Sequence, residues 1–212
     1  MRALVIGVGG LGCPASMALA PQVGQLTLVD FDVVASSNLH RQPWHHPQDV
    51  GRPKVDSATE KIRALFPQLT VVGLSTKVTE QNVDPLLKLH DVVIDGTDTS
   101  QMKFVLNDAA VRARKPLIYG GVLRFSGQAM RIEPGGPCLR CLFEGPPPEG
   151  PTCAQAGVLG SIAGVIGGLQ AQLALTPNPV PEETMLHLVD GLAFRSRQVR
   201  VKKVADCSVC AS

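Results

Sequence analysis

The sequence predicts an α/β fold: a doubly wound, mainly parallel sheet with an antiparallel extension toward its C-terminal end. Three observations carry that prediction. Residues 3–6 are an apolar run that leads straight into Gly7, Gly9 and Gly12, spaced as G-x-G-x-x-G, with Gly10 an extra glycine among them. A second apolar run ends at Asp30, close to the ~20-residue interval at which nucleotide-binding folds of this kind place an acid. Apolar runs of strand length then alternate with helix-periodic segments as far as Val122, the pattern of successive βαβ units.

In order along the chain, residues 2–6 read as the first strand and residues 12–20 as the first helix. Glycine lets the intervening backbone turn tightly and come close to a phosphate, and the helix start offers free N–H groups and a positive dipole end to an anion. Residues 25–30 read as the second strand, with Asp30 placed to hold the ribose hydroxyls of a bound nucleotide. The segment 31–52 is polar and without period, and contains Asn38, Arg41, Gln42 and the pair His45-His46. A connection of that length inside a compact domain is usually functional. Within it, Trp44 is expected to pack the loop down, and His40, His45 and His46 to be ordinary loop residues.

Pro53 suits a first helical position, and Ala58, Ile62, Leu65 and Phe66 form the apolar stripe of the helix that follows. Residues 69–74 read as the third strand. Thr79 is expected to cap a short helix through Leu89. Residues 91–95 read as the fourth strand, running into Gly96-Thr97-Asp98. A helix over 100–114 and a fifth strand over 116–122 complete the alternation. Residues 127–132 then alternate as an antiparallel strand would, residues 144–151 are a proline-rich loop, and residues 157–175 form an uncharged helix. Segments 185–189 and 198–204 read as a hairpin. No repeat or long linker interrupts this order, so residues 1–212 are expected to form one domain.

A net charge of +2 makes no electrostatic case for nucleic acid or an anionic membrane as a partner. The basic run Arg195 to Lys203 reads as a solvated strand face. Residues 157–175 carry Gly160, Gly164 and Gly168 at G-x-x-x-G spacing, but Gln170, Gln172 and the absence of flanking basic residues favour a helix buried in a core or a dimer interface over a membrane span. The first apolar run ends in a glycine turn where a secretory signal would have its cleavage site, so a cytoplasmic protein is expected.

Six cysteines occur, and Cys138/Cys141 and Cys207/Cys210 form two C-x-x-C pairs. Without a secretory signal this points to metal or redox chemistry. Four paired thiols suit a closed, tetrahedral zinc site. A thioredoxin-like role is the alternative for either pair, disfavoured because neither is expected to open a helix after a strand. Cys13 reads as a small buried hydrophobe. Cys153 stands alone before the uncharged helix, where a helix N-terminus would activate a thiol.

Taken in order, Gly7-x-Gly-Gly-Leu-Gly12, Leu28-Val-Asp-Phe-Asp32, Ser37-Asn-Leu-x-Arg-Gln42, Gly51-x-Pro-Lys54, Asp95-x-Thr-Asp98, Cys138-x-x-Cys141, Thr152-Cys-x-x-Ala-Gly157 and Cys207-x-x-Cys210 resemble the ThiF/MoeB/HesA family across essentially the whole chain. These are bacterial relatives of ubiquitin-activating enzymes. The resemblance implies a Rossmann-like fold with a zinc site and an ATP-dependent adenylyltransferase. Its substrate would be a small ubiquitin-like sulfur carrier ending in Gly-Gly, and the enzyme a homodimer. It implies that Arg41 and Lys54 meet the triphosphate and that Asn38 and Gln42 add polar contacts. Asp98 would be the catalytic aspartate and hold Mg²⁺, and Asp32 would support the site. Cys153 matches a position that links covalently to the carrier in some members and is dispensable in others.

Relatives usually carry an N-terminal arm whose arginine reaches the partner subunit's ATP site. Because this chain is in its first strand by Ala3, the expectation is slow adenylation, or a longer parent chain. Two competing readings are an NAD-dependent oxidoreductase, which leaves Arg41, Lys54 and Asp98 without a purpose, and a non-catalytic adaptor for the carrier.

Overall fold

The computed structural model describes residues 1–146, 157–176 and 183–211. Among these, eight strands form one sheet: β1 Arg2–Ile6, β2 Gln25–Val29, β3 Thr70–Leu74, β4 Val92–Asp95, β5 Leu117–Leu123, β6 Ser126–Ile132, β7 Glu183–Asp190 and β8 Arg195–Lys202. The order across the sheet is β3-β2-β1-β4-β5-β6-β7-β8. Strands β1 to β5 pair in parallel, and β6, β7 and β8 continue antiparallel from β5.

The described helices are α1 Gly12–Leu19, α2 Lys54–Leu65, α3 Val83–Lys88, α4 Ser100–Ala113, the one-turn α5 Leu139–Leu142 and α6 Gly160–Leu175. They divide between the two faces of the sheet. Ala3 and Val5 pack with Leu19, Ile62 and Ala171, on the face covered by α1, α2 and α6. Leu4 and Ile6 pack with Leu87, Phe104 and Leu106, on the face covered by α3 and α4. Successive side chains of a strand point to opposite faces, so a strand covered on both must be apolar throughout. That is why Val92-Val93-Ile94 reads as a continuous apolar run.

The parallel half therefore follows expectation, with several boundaries corrected. Thr79 does not cap α3. Asn82 stands at that position, and its Oδ1 accepts a hydrogen bond from the Thr79 N–H at 2.8 Å while its Nδ2 donates to the Lys77 carbonyl. The local side-chain bond makes a turn of residues 79–82 and delays the helix. The uncharged helix begins at Gly160 and not Gly157, because Gly157 has a positive φ (+75°) and the residues after it run extended beside Arg124, whose N–H donates to the Gly157 carbonyl and whose carbonyl accepts from the Leu159 N–H. The C-terminal hairpin is longer than expected, since the β7–β8 ladder runs from Glu183↔Lys202 to Asp190↔Arg195. Cys138 does stand at the start of a helix, the one-turn α5. Among the described residues no helix is long and apolar enough to cross a membrane.

Strand order reverses between β1 and β4, with β2 and β3 added to one side and β5 onward to the other. In open α/β sheets that reversal leaves a crevice beyond the carboxyl ends of the two strands, where ligands bind. Here the crevice is bounded by the turns after Ile6 and after Asp95.

Candidate active site

The glycine turn begins at Gly7, whose φ of +89° is a left-handed conformation that favours glycine. A Cβ there would stand 2.6 Å from the Gly96 carbonyl oxygen, and one on Gly12 would overlap the Gly7 carbonyl. The turn, the start of α1 and the β4–α4 connection are thus packed backbone on backbone. No side chain caps the first turn of α1 and no acid stands in it, which leaves its positive end available to an anion. Gly9 and Gly10 line the crevice.

Asp30 directly follows β2 and is buried. Its Oδ2 accepts from the Val8 N–H at 2.7 Å and its Oδ1 from the Asp32 N–H at 2.8 Å. Burial raises its carboxyl above the usual range, against the opposing pull of the Lys54 charge. The residue expected to hold a ribose therefore also clamps the glycine turn to β2, and each oxygen keeps a second lone pair for a ligand.

The 31–52 segment folds back over this turn. Trp44 is buried and its indole donates to Ser16 Oγ at 2.8 Å, packing the loop down as expected. His45, expected to be an ordinary loop residue, is instead buried beneath the turn. Its Nε2 lies 3.2 Å from the Val8 carbonyl and its Nδ1 3.0 Å from Ser57 Oγ, and burial lowers its pKa. Cys13 lies beside it, and burial pushes that thiol up to about 12, so it is the inert hydrophobe expected.

Above the turn, Gln42 is buried with its amide near Gly9, and its Oε1 has no hydrogen-bond partner among the described residues. A buried acceptor without a partner is costly, so this atom marks a place where a ligand or water belongs. Arg41 donates to the Ser37 carbonyl at 3.0 Å and packs its stem near Gly10. The backbone of His40 abuts Gly160, where a Cβ would collide with the His40 carbonyl, so the start of α6 holds this part of the loop in place. Lys54 is buried at the start of α2, with Nζ 2.8 Å from Asp32 Oδ2. Asn38 borders the same crevice.

Across the crevice, Asp98 is exposed and its side chain makes no hydrogen bond or ion pair among the described residues. It does not cap α4. Thr99 does, accepting from the Met102 N–H at 3.4 Å. The loop carrying Asp98 is anchored by a residue that the sequence alone did not single out. Lys103 Nζ donates to Asp95 Oδ2 at 3.1 Å, the Thr97 carbonyl at 2.7 Å and the Gly120 carbonyl at 2.6 Å. Thr97 in turn donates to Asp95 Oδ1 through both its N–H and its hydroxyl. The only sequence signal for this clamp is a lone basic residue eight positions after a buried acid.

The structure therefore brings Gly7, Gly9, Gly10, Asp30, Asp32, Asn38, Arg41, Gln42, Lys54 and Asp98 to one cleft of about 2000 Å³. Gly12 lies behind the turn and does not line it. Pockets for single small molecules occupy roughly 300–1,000 Å³, so this cleft has room for a nucleotide and part of a second substrate. It continues over the β5–β8 half of the sheet as far as Arg195 and Arg197. Cys153 lies outside the described residues.

The second cluster is the four paired cysteines. Their sulfurs all lie within 4.8 Å of one another, with Cys138 and Cys207 3.8 Å apart and Cys141 and Cys210 3.4 Å apart. These spacings exceed the ~2.05 Å of a disulfide. Four sulfurs at about 2.3 Å from a tetrahedral zinc stand about 3.8 Å apart, so the set fits that ion with no open position. Four converging thiols also displace the thioredoxin-like alternative, although Cys138 does open a helix.

Fold and cleft together define a Rossmann-like α/β protein with a glycine turn and a cation-lined crevice at its topological switch point. Residues 1–209 match the ThiF family, and the chain belongs to it. It is 42% identical over 217 residues to "Adenylyltransferase and sulfurtransferase MOCS3" of Culex quinquefasciatus, an alignment covering 98% of this chain and 49% of that protein. It is 38% identical over 232 residues to "Adenylyltransferase and sulfurtransferase uba4" of Aspergillus fumigatus, covering 100% and 47%. The chain thus spans about half the length of the curated relatives it matches. The crystal structure of E. coli MccB with ATP superposes with a TM-score of 0.84 at 18% identity, covering 100% of this chain and 67% of that one, which shows the shared fold.

Proposed function

We propose that the chain is an adenylyltransferase. It would use ATP to activate the C-terminal glycine of a small ubiquitin-like sulfur carrier ending in Gly-Gly, with residues 1–212 acting as one adenylation domain. One observation carries the reading: Gln42, with its unpartnered buried oxygen, meets Arg41, Lys54, Asp98 and the glycine turn in a single cleft. The names of the MOCS3 and uba4 relatives support it. An NAD-dependent oxidoreductase would need neither the cations nor Asp98.

In the reaction this site suits, a carboxylate oxygen of the carrier bonds to the α-phosphorus of ATP. The bond from that phosphorus to its leaving oxygen breaks, and pyrophosphate departs. No proton has to be removed, so the site needs positive charge more than a base. The glycine turn and the start of α1 would receive phosphate oxygens, and Arg41 and Lys54 would offset the charge of the triphosphate. Asn38 and Gln42 would orient it, and Asp30 would take the ribose. Asp98, with support from Asp32, would hold Mg²⁺, which when bound neutralises charge on the phosphates. Cys153 would serve a later sulfur-transfer step. Zinc on Cys138, Cys141, Cys207 and Cys210 would be structural, and the enzyme a cytoplasmic homodimer.

The test is ATP–pyrophosphate exchange by the purified chain with each of a panel of carriers ending in Gly-Gly. Exchange that requires one of them is the expected result. Nucleotide binding without exchange for any carrier would refute catalysis and leave the adaptor reading.

A further inference from the structure

The cleft extends well past the part needed for a nucleotide, and its far end is basic. In the sheet register, Gly121 pairs with Gln128, Gln128 with Leu188 and Leu188 with Arg197, so these four lie in one row across β5–β8. The adjacent row on the same face is Leu123, Ser126, Asp190 and Arg195. All of them line the cleft. The row starts beside the Asp98 loop, because Lys103 joins the Thr97 carbonyl to that of Gly120.

Arg195 and Arg197 are exposed and make no ion pair among the described residues. The neighbouring acid, Asp190, is occupied by the N–H groups of Leu192 and Ala193, at 3.0 and 3.1 Å. On the opposite face of β8, Arg200 is paired with Glu183. Charges on an edge strand commonly deter edge-to-edge association, but that role would not require two unpaired guanidiniums on the cleft face.

We infer that Arg195 and Arg197 select the protein substrate by pairing with acidic side chains upstream of its C-terminus. This rests on the adenylyltransferase reading. Three strand spacings of about 4.8 Å separate Gly121 from Arg197, roughly 14 Å, which an extended chain covers in about four or five residues. With the terminal Gly-Gly beside Gly121 and the Asp98 loop, the acids recognised are therefore about four or five residues before it.

The experiment is carrier-dependent pyrophosphate exchange by the Arg195→Ala/Arg197→Ala variant, using the carrier that supports exchange by the parent chain. The KM for the carrier should rise about tenfold, the scale of two exposed ion pairs, with kcat and the KM for ATP unchanged. Arg195→Lys/Arg197→Lys should stay near the parent value. Arg195→Glu/Arg197→Glu should bind poorly and be rescued by a carrier whose acids in that window are changed to lysine. An unchanged carrier KM, or a fall in kcat alone, would overturn the inference. A parent chain inactive with every carrier would remove the reading beneath it, and the inference with it.

Discussion

Lys103→Met tests whether the clamp behind Asp98 is structural, functional or both. Asp95 is wholly buried and the Lys103 side chain is 12% exposed. The substitution keeps an unbranched side chain one atom shorter and removes the charge, leaving a buried carboxylate with only the Thr97 N–H and hydroxyl and leaving the Gly120 and Thr97 carbonyls short of a donor. Removing one partner of a buried pair costs about 3–5 kcal/mol, and that is the expected fall in unfolding free energy by urea titration, with an unchanged slope. Lys103→Met/Asp95→Asn removes the stranded charge and should recover at least ~1 kcal/mol relative to additivity. Because the same ammonium holds the Asp98 loop against β5, exchange activity should also fall, by up to ~10²-fold for a displacement of about 1 Å. A Lys103→Met protein within ~1 kcal/mol of the parent and equally active would refute the argument.

Asp98→Ala should abolish carrier-dependent pyrophosphate exchange while leaving the melting temperature within a few degrees, since the side chain is exposed and makes no hydrogen bond or ion pair among the described residues; Arg41→Ala and Lys54→Ala should also be severely impaired. Metal analysis should find one zinc per chain, and Cys210→Ser should lose both metal and stability, whereas zinc-free protein with four freely titratable thiols would refute the site. Cys153→Ala should retain exchange, because attack on the α-phosphate uses no thiol; loss of exchange in a well-folded variant would show that thiol to be needed for adenylation. Burial alone would raise the Asp49 carboxyl, but hydrogen bonds from Lys61 and the His46 N–H hold it far below the usual range. A depressed carboxyl stabilises the fold above its unfolded value of about 3.9 and loses that contribution as pH falls further. Urea titrations at pH 7 and pH 3 should therefore show Asp49→Asn to be less stable at pH 7 and less sensitive to acid than the parent.

What the sequence by itself determined are features written in short stretches of chain. The glycine turn, the acid after the second strand and the apolar runs of the parallel strands each follow from local steric and burial requirements, so their order along the chain already specified a doubly wound sheet. The cysteine pairs were legible for the same reason, since each C-x-x-C is local. Their convergence was not, because Cys138 and Cys207 are joined only when α5 and the end of β8 pack together. Tertiary structure likewise decided the role of His45, which looked like loop sequence and lies beneath the glycine turn, and of Lys103, whose three partners come from two strands, β4 and β5, and the loop after β4. Arg195 and Arg197 read as a solvated strand face. Only the register β5–β6–β7–β8 places them on the cleft side, because pairing between strands decides which of two equivalent faces an alternating pattern presents.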